Sequence, residues 1–331
     1  MAHLLAICDA EKKSGLGHYV RTQALISKLE NLGHTVTWLF NVKLPHHIQI
    51  QIIKKKQEII FFDSYDDILY SLEKISFDHI VVDSYLIPLE VRSKIKSFIK
   101  PSKIISIQDG PPYLHSDIYI NQNITDIGSN QFQLSNKSVL FSGEKYMMLD
   151  YDRYTTKKVY NSKKIDKVLI FFGGTSQKNL IIHTLRCLEN LNVNLEVEIF
   201  IPERDMNYLT YFARRFPNMK VTIYPVFIDR LIEYHHYDLC IGSFGMSAWE
   251  RIYVGLPSIG LVIAENQRLV ANILSERMVM MLADVDNLER KIAEIFNNTK
   301  LRLELFQNSR KLIDGNSTRN LAIKLNRMLM Y

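Results

Sequence analysis

HLLAICDAEKKSGLGHYVRTQALISKLENLGHTVTWLFNV, residues 3–42, reads as strand, turn, helix and strand. HLLAICDA (3–10) is a short apolar run ending at Asp9, the pattern of a buried strand. EKKSGLGH follows as a polar turn in which Gly15 and Gly17 let the backbone bend tightly and pass close to a ligand. From His18 the apolar residues Val20, Ala24, Leu25, Leu29 and Leu32 recur at spacings of three and four, which predicts a helix through Leu32-Gly33-His34. TVTWLFNV (35–42) is the second strand. One βαβ unit of this kind implies a parallel sheet.

The same alternation continues along the chain. IIFF (59–62), HIVVDSYLI (79–87), KIISIQDG (103–110) and IYINQN (118–123) read as strands, with a helix over PLEVRSKIKSFIK. Residues 49–60 read as a polar or basic stretch, and 124–165 as a polar, irregular connection. A second series starts at KVLIFFGGTSQKN (167–179) and runs through a helix near 178–190. LEVEIFI, MKVTIYPVF, DLCIGSFG and LPSIGLVI are its strands. NYLTYFARRF, SAWERIYVG and ENQRLVANILSERM are its helices, with a short one from Phe227 to Tyr234. Two more, near 286–298 and 300–312, precede a final amphipathic helix. The expectation is an α/β protein of two Rossmann-like domains facing across a cleft. Residues 1–160 form the first, 161–312 the second, and 313–331 a helix crossing back to the first.

Composition bounds the function. The chain has 331 residues, 47% hydrophobic and 23% charged, an ordinary globular profile with material for two cores. Its +6 formal charge is too diluted to demand nucleic acid and is compatible with an anionic small substrate or with no charge-related role. Cys8, Cys187 and Cys240 are too scattered for a disulfide framework or a metal site and read as buried, inert thiols. No signal peptide and no apolar run long enough to span a membrane is evident, so a cytoplasmic protein without stable membrane insertion is expected.

Three glycine turns follow strands. His18, after SGLG, falls at the carboxyl edge of its strand, where open α/β sheets bind ligands; the competing reading is a surface histidine on a plain turn. Gly173-Gly174-Thr175 offers free N–H groups at a helix start, suited to phosphate, though Thr175 or Ser176 serves equally as a helix cap. GSFGMSAWE (242–250) repeats the pattern. Gly245, Met246 and Ser247 could surround a diphosphate and Glu250 could hold ribose hydroxyls, or Ser247 and Glu250 form a capping box. Trp249 reads as core. Asp9, Asp83, Tyr85 and Asp109 end strands of the first half, and Glu265, Asn266 and Gln267 end one of the second.

SGLGHYVRT, VVDSY, SIQDG, FFGGT, GSFGMSAWERIYVGLPSIGLVIAENQ and DGNSTR together resemble the UDP-sugar hydrolases of pseudaminic acid biosynthesis, the PseG or SpsG type. These are relatives of two-domain GT-B glycosyltransferases such as MurG. The resemblance spans nearly the whole chain. It implies hydrolysis of a UDP-linked 2,4-diacetamido-2,4,6-trideoxy hexose to UDP and free sugar, with inversion and without cofactor or metal. It makes His18 the general base, with Asp9 before its loop and Arg21 and Gly17 beside it. Tyr85 and Asn266 lie near the sugar, Gly245 and Ser247 bind the diphosphate, Glu250 the ribose, and Gln267 stands beside Asn266. Phe244 and Met246 are bulkier than the family's loop residues, so that loop is expected to bend differently or leave less room. A histidine suits the base role because imidazole titrates near neutrality, and Asp9 or Asp83 could fix its tautomer. A glycosyltransferase using the same base on an acceptor hydroxyl is the alternative, and a non-catalytic nucleotide-binding protein a third. The expected partner is a UDP-sugar, and the expected state a monomer.

Overall fold

Strand β1 (His3–Cys8) is buried from Leu4 onward, as a strand covered on both faces must be. It leads into helix α1 (Gly17–Glu30) and strand β2 (Thr35–Phe40), the βαβ unit expected from residues 3–42. The computed structural model describes residues 1–10, 16–41, 44, 46–98, 103–109, 116–123, 137–154, 158–160, 164–226 and 233–330. Gly15, Gly110, residues 124–136 of the expected connection and the body of the helix expected from Phe227 lie outside them.

The chain continues through α2 (His46–Lys54), β3 (Glu58–Phe61), α3 (Tyr65–Lys74), β4 (His79–Asp83), α4 (Leu89–Phe98), β5 (Ile104–Ile107), β6 (Ile118–Asn121) and β7 (Val139–Ser142). The second series is β8 (Lys167–Phe171), α5 (Lys178–Glu189), β9 (Leu195–Ile201), α6 (Glu203–Ala213), β10 (Met219–Pro225), β11 (Leu239–Ser243), α7 (Met246–Val254), β12 (Ser258–Leu261), α8 (Arg268–Glu276), β13 (Met281–Ala283), α9 (Leu288–Asn297) and α10 (Thr299–Leu312). Helix α11 (Ser317–Leu329) closes the chain.

Two compact units result: Met1–Asp150 with Asn316–Tyr331, and Tyr151–Gly315. The first unit's sheet has the order β3-β2-β1-β4-β5-β6-β7 and the second's β10-β9-β8-β11-β12-β13. Every strand pairing is parallel. These are two Rossmann-like α/β units, the fold class that the strand–helix alternation predicts. In each, the order reverses at one place: beside β1 and β4 in the first, beside β8 and β11 in the second. Crevices at such reversals, outside the carboxyl ends of the strands, are where open α/β sheets bind ligands.

Both cores are built from branched aliphatic residues. Leu5, Ile7, Leu39, Ile80, Val82 and Ile104 pack together in the first unit. Val168, Ile170, Val197, Ile199, Leu239 and Ile241 do so in the second. Full burial of such a side chain contributes about 1.5–3 kcal/mol. Helix α11 belongs to the first unit. Thr318 Oγ1 accepts from the Leu149 amide and Ser317 Oγ donates to the Met147 carbonyl, at 2.9 and 2.6 Å.

Residues 49–60, read as an undivided polar stretch, contain most of α2 and the start of β3. Ile48 and Ile52 are buried while Ile50 and Ile53 are exposed, a helical face rather than a polar run. The region expected to be irregular after residue 124 supplies β7. Among the described residues no helix is long and apolar enough to cross a membrane.

Candidate active site

Parallel pairing aligns Cys8 of β1 with Asp83 of β4, and the Asp9 amide donates to the Asp83 carbonyl at 3.1 Å. The two strands therefore deliver Asp9 and Asp83 to one point at the sheet edge. Helix α1 starts at Gly17 and brings His18, Arg21 and Thr22 to the same point. Residues three and four apart share a helix face.

Asp83 is completely buried and accepts four hydrogen bonds. Oδ1 takes His18 Nδ1–H at 2.6 Å and Arg21 Nη2–H at 2.6 Å. Oδ2 takes Arg21 Nε–H at 2.7 Å and the Thr22 hydroxyl at 2.7 Å. Four donors fill the acceptor capacity of a carboxylate. Burial opposes the charge on Asp83. The Arg21 guanidinium and the His18 ring beside it, with their hydrogen bonds, overcome that penalty and hold the carboxyl well below the usual carboxylate range. An ionised carboxylate only accepts, so Nδ1 of His18 carries a proton, and in the neutral ring the lone pair is then on Nε2. Of the two aspartates considered for fixing the His18 tautomer, Asp83 is the one in contact.

Asp109 extends the cluster. It accepts from Arg21 Nη1 at 2.6 Å, from Asn123 Nδ2 at 2.9 Å and from the Tyr85 hydroxyl. Burial works against the Arg21 cation, but Asp109 and Asp83 outweigh it and raise its pKa well above the ordinary arginine value. Three of the five N–H donors of Arg21 are thus engaged by Asp83 and Asp109. Tyr85 stands edge-on to the His18 ring, centroids 4.5 Å apart, and is two-fifths exposed. Its backbone is pinned because its amide donates to Asp9 Oδ2 at 2.6 Å. Arg92, which sequence reasoning missed, supports the same loop by donating to the carbonyls of Ile87, at 3.0 Å, and Ser84.

The second unit carries the other two glycine turns. After β8, Gly173 has φ +92°, a left-handed conformation that favours glycine. Gly174, exposed, and Thr175, half-buried, follow. Helix α5 begins at Lys178, where the sequence places it. Its N-cap is Gln177, with no side-chain cap, so neither Thr175 nor Ser176 caps it; Gln177 Nε2 lies 3.4 Å from Thr175 Oγ1. After β11, Gly245 is the N-cap of α7, again without a side-chain cap. Ser247 is therefore inside the first turn, and the capping box with Glu250 does not form. Ser247 Oγ instead accepts from Arg251 Nη1 at 3.1 Å, and Glu250 Oε2 accepts from the buried Tyr234 hydroxyl at 2.7 Å. Ser243 Oγ donates to the Phe172 carbonyl at 3.3 Å, tying the two turns together at the sheet edge.

Phe244 does not crowd this loop. It is only 3% exposed, and a Cβ at Gly260 would lie 2.3 Å from its ring. The ring thus occupies the space that the missing side chain of Gly260 leaves on β12. The expectation of reduced room is corrected for this residue. Met246 is half-buried, and Trp249 is core at 1% exposure. Gln267 comes to the same turn: its Oε1 accepts from the Ile263 amide at 3.2 Å, and its Nε2 would lie 3.7 Å from a Cβ at Gly245. Asn266 sits beside it, exposed, in a short 3-10 turn over Glu265–Gln267. Among the described residues no group of three or more His, Cys, Asp or Glu is placed to hold a metal ion.

No family model matches the chain. It is 28% identical over 277 residues to an uncharacterized protein of Methanocaldococcus jannaschii, covering 79% of this chain and 56% of that protein. The chain thus spans about half the length of that relative. It is 23% identical over 329 residues to the spore coat polysaccharide biosynthesis protein SpsG of Bacillus subtilis, covering 95% and 94% of the two chains. In structure it resembles Acinetobacter baumannii MurG, with a TM-score of 0.70 at 14% identity over 99% and 100% of the two chains. It also resembles Phytolacca americana UGT2, solved with UDP-2fluoro-glucose and pterostilbene, with a TM-score of 0.69 at 12% identity over the full length of both. The fold is thus of the GT-B glycosyltransferase kind.

Proposed function

We propose that the protein is a nucleotide-sugar-processing enzyme that hydrolyses a UDP-linked 2,4-diacetamido-2,4,6-trideoxy hexose to UDP and the free sugar, with inversion at C1. The observation that carries this reading is the His18–Asp83 contact at 2.6 Å. It leaves Nε2 of His18 as a base whose tautomer is fixed by a fully paired carboxylate. The full-length similarity to SpsG, a polysaccharide biosynthesis protein by name, supports the substrate class.

The first unit supplies the base. Water attacks C1 and gives its proton to His18 Nε2, while the bond from C1 to the diphosphate oxygen breaks and UDP departs. Tyr85 and Asn266 contact the sugar. Asp9 sets the Tyr85 backbone. Arg21 is a positioning residue, because its guanidinium is committed to Asp83 and Asp109; Gly17 gives α1 its close approach. The second unit holds the nucleotide. N–H groups at Gly245, Met246 and Ser247 and the Ser247 hydroxyl stabilise the charge that grows on the leaving diphosphate, with Gly173, Gly174, Thr175 and Gln267 adding polar contacts. Glu250, whose Oε2 is held by Tyr234, offers Oε1 to the ribose.

The likeness to MurG and to a UDP-sugar complex favours one competitor, a glycosyltransferase in which an acceptor hydroxyl replaces water. Incubation of purified protein with the UDP-sugar, without acceptor or added metal, separates them. Stoichiometric release of UDP and reducing sugar supports hydrolysis; UDP release only after an acceptor is added supports transfer. Glu250→Ala tests the nucleotide side by calorimetry, with UDP affinity expected to fall about tenfold or more.

A further inference from the structure

Arg251 is a buried cation without a countercharge. It is fully buried, and its hydrogen-bond partners are neutral. Nη1 donates to Ser247 Oγ at 3.1 Å and Nη2 to the Ser243 carbonyl at 2.7 Å, while Nε has none. Among the described residues no carboxylate lies within ion-pair distance of it. Two of the other buried arginines differ. Arg21 is paired with two aspartates. Arg302 donates to the carbonyls of Ile295 and Phe296 near the end of α9, where the helix dipole favours a cation. Arg251 instead reaches back to the first turn of its own helix, the end where the dipole is positive and a cation is disfavoured. Burial of a charge is costly unless it is compensated. The turn from Ser243 to Ser247 thus combines a buried cation with the positive end of a helix, and no carboxylate of the described residues is in ion-pair contact with that cation.

Arg251 also fixes the polarity of Ser247. A guanidinium cannot accept a hydrogen bond, so Ser247 Oγ is an acceptor towards Arg251 and its hydroxyl proton is left to donate elsewhere. An acceptor oxygen that meets Ser247 at the start of α7 can take that proton.

We propose that Arg251 is the buried countercharge for the diphosphate of the nucleotide sugar, and that it orients Ser247 as a donor to that diphosphate. The guanidinium acts through Ser247 and through the field at the helix start, so Arg251 is a positioning and affinity residue rather than a catalytic one. This inference rests on the nucleotide-binding reading above and deepens it. It makes the turn selective for anionic oxygens over the uncharged part of the ligand.

Calorimetric titration of wild type, R251K, R251M and S247A with UDP, uridine and inorganic pyrophosphate tests it, with thermal melts of each variant as a control. R251M is expected to lose roughly tenfold to a hundredfold in affinity for UDP and pyrophosphate while binding uridine as wild type does. S247A, a smaller change, should lose affinity in the same direction, and R251K should fall between R251M and wild type. Unchanged UDP affinity in R251M overturns the proposal. So does an equal loss for UDP and uridine with a lowered melting temperature, which marks a purely structural arginine. Wild type that binds pyrophosphate through Arg251 but not UDP would leave the anion site standing and remove the uridine nucleotide from the proposed function. Wild type that binds neither removes both.

Discussion

Asp83→Asn is the substitution that probes the first unit most sharply. Its shape is nearly unchanged, but one acceptor oxygen becomes an NH₂ group. Asp83 receives four donors, two on each oxygen. Whichever way the amide turns, two of these four meet a donor instead of an acceptor. Hydrogen bonds to charged groups are worth about 1.5–3 kcal/mol each, and breaking a buried ion pair costs about 3–5 kcal/mol. Asp109 still holds Arg21, so the lower half of that range applies. In a unit of this size, 3–4 kcal/mol corresponds to a fall in Tm of roughly 6–16 °C. The catalytic effect is separate. Without the carboxylate, Nδ1–H of His18 is no longer enforced, and loss of a correctly poised base costs about 10²–10⁴-fold in rate. Differential scanning fluorimetry and a coupled assay of UDP release measure the two quantities, and UDP affinity by calorimetry should stay at the wild-type value. Wild-type turnover in folded D83N would refute the tautomer role of Asp83. As a contrast, Asp9→Asn keeps an oxygen for the Tyr85 amide and should reduce turnover far less.

Three further outcomes follow from the same interactions. Because Asp83 has a depressed pKa in the folded state, its contribution to stability is full above the unfolded carboxyl value near 3.9 and is lost as pH falls below it. Urea titrations from pH 6 to pH 3 should therefore show a loss of stability that is smaller in D83N. Gly260→Ala places a Cβ 2.3 Å from the Phe244 ring and should lower stability by about 1–3 kcal/mol, read as a shift of the urea midpoint. Burial raises the pKa of Cys8, and pushes Cys187 and Cys240 up to about 11; mass spectrometry after native treatment with iodoacetamide at pH 7.5 should find all three unmodified.

Long apolar runs are legible in the sequence, and so are the central strands; the strand order that sets the two reversals is not. Short or peripheral elements are not. Helix α2 hides because Ile and Gln alternate through 48–52, which imitates a strand, although Ile48 and Ile52 are the buried pair. Helix α3 carries a signal that was available: Ser64 and Asp67 form a capping box, with buried Ile68 and Leu72 behind it. Strands β7 and β13 span four and three residues, too few to show a period. At the site, His18 and the strand-end aspartates stand out by position. Which aspartate meets His18 depends on a partnership across 65 residues, fixed by strand register and invisible in the chain. Thr22 was accessible in principle, because it lies one helical turn from His18. The Ser247–Glu250 pattern misleads because the helix starts two residues before a capping box would place it.

The most direct measurement is time-resolved proton NMR of the sugar as it forms from the UDP-sugar, for wild type and His18→Gln at equal UDP occupancy. Direct displacement by water activated at His18 Nε2 requires that the first anomer seen be inverted. It also requires that H18Q bind UDP normally yet release sugar about 10²–10⁴-fold more slowly. A first product of retained configuration, or undiminished turnover by H18Q, would contradict the assignment of His18 as the base.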